Sequence, residues 1–384
     1  MSRIDRLIRA LCPDGVEFRL LGAAVSVVPT PRGILREHYS LGSLIPIVDQ
    51  GQALIAGYTD DRSLALDAGE VIVFGDHTRA VKWIDFMFAP GADGIKVLRA
   101  NAGLIPKFLY YAISNMRVES RGYNRHWTLL RELPVPTPPL EVQREIVRVL
   151  DTFAALEAEL EAELEARRRQ YAHYRESLLA PDDEDRANWV RMGDVGQFIR
   201  GRRFTKSDVV TDGIASIHYG EIYTSYGVSA RRALTAVNPE LRSTLRFAKP
   251  GDIVIAAVGE TVEDVCKAVA WLGDEEVAIH DDCFAYRHSL NPKFVAYYMQ
   301  TAAFHSEKAQ YVARAKVKRM SGENLAKLHI PVPSMDEQER IVAILDAFDA
   351  LVNDLSVGLP AELAARRKQY EHYRDRLLTF PEAS

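Results

Sequence analysis

Cysteine is scarce in this chain of 384 residues, and its scarcity removes several possibilities at once. Cys12, Cys266 and Cys283 are odd in number and share no Cys-x-x-Cys spacing, which argues against a disulfide framework and against a zinc site. No run of about 18 apolar residues occurs, so no membrane span is expected. The opening Met1-Ser2-Arg3-Ile4-Asp5-Arg6 lacks the apolar core of a signal peptide, and the expected compartment is the cytoplasm. Nucleotide cradles of the Gly-x-Gly-x-x-Gly and Gly-x-x-x-x-Gly-Lys types are absent. So are the His-Glu-x-x-His and Gly-x-Ser-x-Gly signatures. Thr137-Pro138-Pro139-Leu140 lacks the leading amide or acid of an Asn-Pro-Pro-Tyr segment, and the ten histidines are scattered. No constellation supports catalysis, so the chain is not expected to be an enzyme.

What the sequence does have is itself, nearly twice. Gln143-Arg144-Glu145-Ile146-Val147 with Leu150-Asp151-Thr152-Phe153 returns 195 residues later as Gln338-Glu339-Arg340-Ile341-Val342 with Leu345-Asp346-Ala347-Phe348. Arg167-Arg168-Arg169-Gln170-Tyr171 with His173-Tyr174-Arg175 returns as Arg366-Arg367-Lys368-Gln369-Tyr370 with His372-Tyr373-Arg374. Pro134-Val135-Pro136 matches Pro331-Val332-Pro333, and Pro106-Lys107-Phe108 matches Pro292-Lys293-Phe294. The offset drifts from 171, between Gly22 and Gly193, to 199, mostly inside residues 19–133 and 191–330, where the halves barely resemble each other. A similar frame thus holds two divergent modules, an arrangement suited to presenting two similar surfaces to a partner.

Charge follows the same division. The overall net charge of −5 hides 13 basic and 11 acidic residues in 19–133, and 19 basic and 16 acidic in 191–330. The frame is acidic, with 7 basic and 13 acidic residues in 141–186 and 6 basic and 10 acidic in 334–384. Mild positive charge in the modules permits contact with phosphates without proving it.

Three-and-four spacing at Ile146, Leu150, Phe153, Leu156, Leu160, Leu164, Tyr171, Tyr174 and Leu178 predicts one helix from Leu140 to about Leu179, roughly 60 Å long. So long a rod needs a partner. The matching stripe Ile341, Leu345, Phe348, Leu351, Leu355, Leu359, Leu363, Tyr370, Tyr373 and Leu377 supplies one, most simply by antiparallel pairing. Ser356-Val357-Gly358-Leu359-Pro360 predicts a kink or break, with Pro360 starting the next helical piece. Tandem Leu-Glu-Ala units at Leu156, Leu160 and Leu164 each add about 6 Å and turn the face by about 40°, which makes the rod an adjustable spacer. In the modules, strands are expected at 71–74 and 252–258 and short helices at 106–112 and 292–300.

Taken together, these segments resemble the specificity subunit of type I restriction–modification systems over essentially the whole chain. The opening with Leu11-Cys12-Pro13-Asp14-Gly15-Val16-Glu17, the Pro134-Val135-Pro136 entry to Leu140-Glu141-Val142-Gln143, and the ending Arg366-Arg367-Lys368-Gln369-Tyr370 through Leu377-Leu378-Thr379-Phe380 carry the likeness. The resemblance implies an α+β fold: two pseudo-repeated target-recognition domains, 1–137 and 181–333, joined by two long helices, 138–180 and 334–380, in an antiparallel coiled coil, the second kinked near 356–360. It further implies that each domain reads one half of a split double-stranded DNA site while the rods set the gap. Two modification subunits, carrying S-adenosylmethionine, would dock on the frame, and two restriction subunits using ATP and magnesium would join them. The chain itself would bind no cofactor and no metal.

Residue chemistry, not the resemblance, nominates the DNA-reading side chains. Arginine forks match guanine, asparagine matches adenine, and lysine anchors phosphate. In the first module the candidates are Arg32, then His77, Thr78, Arg79 and Lys82, then Asn124, Arg125 and His126. The second module offers Arg200, Arg202, Arg203 and Lys206, then His218 and Tyr219, then Arg314, Lys316, Lys318 and Arg319. A coiled-coil scaffold whose modules bind other proteins is the competing reading, and an enzyme with an unrecognised site is a third.

Overall fold

The structure is a computed structural model, and it describes residues 3–42, 44–92, 94–120, 122, 124–179, 189–312 and 317–383. The chain divides into two compact units, 1–161 with 362–384, and 162–361. Both are mixed α and β. The long helix Leu140–Leu179 contributes its first part to one unit and its second part to the other. The Pro134–Pro139 stretch keeps any helix from starting earlier, because proline fixes φ and lacks an N–H.

The first unit centres on a four-stranded antiparallel sheet, in the order Val25–Val28, Ile95–Ala100, Val71–Gly75, Val81–Ile84. A second sheet joins Gly57–Thr59, Ile45–Val48 and Ala89–Pro90. Val71 to Phe74 are all buried, which explains the unbroken apolar run: the strand is covered on both faces. Helix Pro106–Asn115 lays Phe108, Leu109 and Ala112 into a core that also contains Val142, Ile146 and Leu150 of the long helix and Leu377 of the C-terminal helix.

Two five-stranded sheets build the second unit. One runs Gly196–Arg200, Cys283–His288, Ile253–Ala256, Ala268–Trp271, Ser229–Ala230; the other contains Ile214–Ile217 and Val277–Ile279 as a parallel pair. The expected strand at 252–258 is two, Ile253–Ala256 and Val258–Gly259, which join different sheets. All three cysteines are buried and unpaired.

Repeated sequence becomes repeated contact. Phe18–Leu20 pairs with Pro134–Pro136 in the first unit, and Trp189–Arg191 pairs with His329–Pro331 in the second. Gln143 Oε1 accepts from the Ile105 N–H at 2.8 Å while its Nε2 donates to Gly103 and Pro138 carbonyls. Gln338 likewise accepts from Asn291 N–H at 2.8 Å and donates to the Pro333 carbonyl. Both amides are buried, and each ties the start of a rod to the start of a module helix. Tyr111 donates to Asp151 at 2.6 Å with Lys107 at 3.1 Å, and Tyr297 donates to Asp346 at 2.7 Å with Lys293 at 2.8 Å. Burial first, and the carboxylate second, hold both tyrosine hydroxyls far above their ordinary range.

Helix pairing is seen within each unit. In the first, Phe153 faces Tyr370 and Tyr373 while Glu157 and Glu161 bind Arg367, so the partner number falls as the helix advances and the pair is antiparallel. In the second, Tyr171 and Tyr174 stack on Phe348, and the Tyr171 hydroxyl reaches Asp349. The C-terminal stretch is two helices, Met335–Asn353 capped by Ser334, and Leu359–Leu378 with Pro360 in its first turn. Gly358 sits under the Ala350 and Leu351 carbonyls, where a Cβ would come within 2.5 Å of an oxygen.

The expected seam needs correction in places. Leu156 is 41% exposed and Leu351 36%, while Leu355, beyond the helix end, is 83% exposed. Val352 and Leu179 are fully buried where Leu351 and Leu178 were expected to be. An α-helix drifts against any strict repeat, so near the ends of the helices Leu140–Leu179 and Met335–Asn353 the buried stripe shifts by one residue. Ile146, Leu150, Ile341 and Leu345 are buried as expected. Ile146 and Leu150 belong to the core of the first module, and the helix of Ile341 and Leu345 packs against Pro292–Tyr298. Leu164, Leu363, Tyr171 and Leu377 are buried, and Leu160, Phe153, Phe348, Tyr370 and Tyr373 are half-buried.

Candidate nucleic-acid interface

Asp76 organises the first unit's loops. Its carboxylate accepts from the Trp127 N–H at 2.7 Å, its carbonyl accepts from the His126 N–H at 2.8 Å, and its own N–H donates to Gly94. The turn after strand Val71–Gly75 and the loop at 122–127, nominated separately, are thereby brought side by side. Arg79 holds a left-handed φ of 64° and donates to the Val118 carbonyl at 2.8 Å. With Thr78 and Arg117 it lines a groove of about 400 Å³. Thr78 donates to the Gln50 carbonyl, and the His77 N–H to the Gln50 side chain. Asn124 and Arg125 are exposed. Arg32, also exposed, borders a different groove, beside Leu35 and Asp61.

Two nominated side chains of this unit face inward. Lys82 is buried, donates from Nζ to the Asp49 carbonyl at 2.7 Å, and has its pKa lowered by burial. His126 is fully buried against the Asp76 carbonyl. His126 braces the loop pair, and Lys82 holds the segment at Asp49, instead of presenting themselves to solvent. Trp127 packs its ring against Phe74, 6.5 Å between centroids.

In the second unit Arg200 and Arg319 line one groove of about 890 Å³, together with Gln197, Ser321 and Asn324. Arg200 ends the strand Gly196–Arg200, and its Nε donates to the Asp281 carbonyl at 2.9 Å. Arg319 lies in the short ladder Lys318–Arg319 with Val258–Gly259, and its Nη1 meets Asp282 at 3.0 Å. Arg202, Arg203 and Lys206 are exposed on the segment that follows. Lys318 is half-buried beside Arg319.

His218 is a helix cap. Its Nδ1 accepts from the Gly220 N–H at 3.2 Å, and its ring lies 4.4 Å from His280 and 4.5 Å from Tyr219. Burial first, then the neighbouring His280, lowers its pKa. Tyr219 borders a separate groove with Tyr223, Glu260 and Asp264. Arg314 and Lys316 lie outside the described residues.

Sequence reasoning missed Arg117, Gln197 and Asn324, which the fold sets beside nominated arginines. Nothing in their local sequence distinguishes them from ordinary surface polar residues. Among the described residues, one group, His280, Asp281 and Asp282, brings possible metal-ligand atoms within 4.8 Å of one another. Its Asp281 carbonyl and Asp282 carboxylate are engaged by Arg200 and Arg319. No helix among the described residues is long and apolar enough to cross a membrane.

Known proteins sharpen this picture. The family profile described as "Type I restriction modification DNA specificity domain" matches residues 45–166 and 186–365. A specificity subunit of the Escherichia coli type I restriction enzyme EcoR124I/EcoR124II is 30% identical, over 99% of this chain and 98% of the relative. Two solved structures share the fold. One, from work on the assembly and conformational transition of the type I restriction–modification system, has a TM-score of 0.58 at 18% identity, covering 95% of this chain and 98% of that one. The other, the specificity subunit of M. genitalium, has a TM-score of 0.55 at 14% identity, covering 95% and 96%.

Proposed function

Because the chain belongs to the type I restriction–modification specificity subunits, the non-catalytic members of their complexes, we propose that each of its two units reads one half of a split DNA sequence. The frame, on this reading, sets the gap between the half-sites and docks two modification subunits. S-adenosylmethionine belongs to those subunits, and ATP with magnesium to two restriction subunits; this chain binds none of them. The domain limits in this proposal are 1–137, 138–180, 181–333 and 334–380.

One observation carries the reading. Both units fasten their module to the rod through the same set of contacts, the buried glutamine and the Tyr–Asp–Lys cluster, whereas the sheets they fasten differ in strand number and order among the described residues. Equal attachments suit two identical enzyme subunits, and unequal modules suit an asymmetric target. Exposed Arg79, Asn124 and Arg125 in one unit and Arg200, Arg202, Arg203, Lys206 and Arg319 in the other supply base-edge and phosphate donors.

The test is to map methylated adenines genome-wide with and without this gene. A split motif with a fixed gap should vanish on deletion. Binding of a defined duplex by the assembled complex should also weaken steeply with salt, because phosphate contacts release counterions. Salt-independent binding, or an unchanged methylation pattern, would favour a protein-interaction scaffold instead.

A further inference from the structure

Resting on the reading that the second unit contacts DNA, we infer that the turn at 281–282 is a clamp presenting Arg200 and Arg319 as guanine readers, so that this unit's half-site contains guanine. Consecutive residues hold the two guanidinium groups: the Asp281 carbonyl takes Arg200 Nε at 2.9 Å, and the Asp282 carboxylate takes Arg319 Nη1 at 3.0 Å. Both arginines line the same groove.

The clamp is itself fixed. The Asp282 carbonyl accepts from the Ala257 N–H at 2.7 Å, and the Ala257 carbonyl accepts from the Met320 N–H at 3.0 Å, next to Arg319. Arg200 is paired with Phe284, two residues past the clamp, in the adjacent strand. Two sheet ladders and one turn therefore converge on the arginines.

Chemistry separates base reading from phosphate anchoring. Phosphate attracts net charge, and a carboxylate at 3.0 Å offsets much of the Arg319 charge as a phosphate would meet it. A guanine edge needs two aligned donors more than charge. A guanidinium has five, so anchoring one nitrogen fixes its plane and leaves a fork for O6 and N7. Arg202, Arg203 and Lys206, exposed on the neighbouring segment, are the cations suited to phosphate. Asp282 is thus a positioning residue acting through Arg319.

The experiment uses the full chain co-produced with its modification subunits, acting on a DNA library randomised at both half-sites, with methylated products sequenced. Wild type should yield a split motif with guanine in the half-site that responds to second-unit changes. Arg319→Lys keeps the charge but loses the fork, and should reduce preference at one guanine on the order of tenfold to a hundredfold. Asp282→Asn should reduce preference at that same position, and Arg200→Lys at another guanine. Preference at the other half-site should stay intact, which certifies folding. A second half-site with no guanine on either strand overturns the inference, as does retention of the guanine preference by both Arg319→Lys and Asp282→Asn. A wild-type complex with no sequence preference at all overturns the underlying reading as well, and so is told apart.

Discussion

Phe153 stacks on Tyr373 with centroids 5.2 Å apart and planes inclined by 26°, and the repeat-equivalent pair, Phe348 and Tyr174, meets at 5.2 Å and 27°. The roles are exchanged: in one unit the phenylalanine comes from the long helix, in the other from the C-terminal stretch. Such an exchange follows when two copies of one sequence pair antiparallel.

Equal geometry predicts equal cost. Phe153→Ala and Phe348→Ala should each destabilise the full chain by about 2 kcal/mol, from lost half-buried ring area and stacking. Urea denaturation with a fluorescence readout measures both. A large loss from one and none from the other would contradict the exchange.

The buried glutamines should be more sensitive than their polarity suggests. Gln143→Leu strands the Ile105 N–H and two carbonyls, and should cost about 3 kcal/mol. Gln338→Leu, with one N–H and one carbonyl bond, should cost somewhat less. A neutral result at either position would show that the rod is not fastened through these amides.

Acid should weaken the second unit. Burial lowers His288 and His305 to about 4, the latter aided by Lys308 and Arg175. A histidine with a lowered folded pKa binds its proton more readily when unfolded. The stability it supports is therefore complete above about pH 6.5 and is lost as pH falls from 6.5 towards 4. Thermal unfolding across that window should show the decline, and His288→Gln should flatten it by up to one proton's worth of slope; an unchanged slope would refute the assignment.

Exposed and buried cations of the first unit should behave oppositely. Arg125→Ala should relax or weaken recognition of one half-site with little change in melting temperature. Lys82→Met, which removes the bond to the Asp49 carbonyl, should destabilise the fold by about 1–2 kcal/mol. Footprinting alongside calorimetry separates the two, and unchanged footprints for Arg125→Ala would remove that residue from the proposed interface.

Length of the rod is open to test through its own repeat. Inserting one Leu-Glu-Ala-Glu unit before Leu164 adds about 6 Å of helix and rotates the face by about 40°. Methylation mapping should then report the same half-sites with the gap longer by about one or two base pairs. An unaltered gap would separate rod length from spacing.

The residue sequence determined the duplication, the extent of helix Leu140–Leu179, the break before Pro360 and the family, because each is written in local spacing or in repeated strings. Strand Val71–Gly75 was legible for a similar reason, as an apolar run bounded by turn residues.

Side-chain direction was not legible. Lys82 and His126 read as DNA-contacting donors, yet burial against distant segments turned them into braces, while His218 caps the helix that follows it. Arg117, Gln197 and Asn324 joined the grooves only because strands remote in sequence lie together. Sequence periodicity records which residues avoid water. Which polar groups then face the same space depends on packing between segments far apart in the chain, and only the tertiary structure decided that.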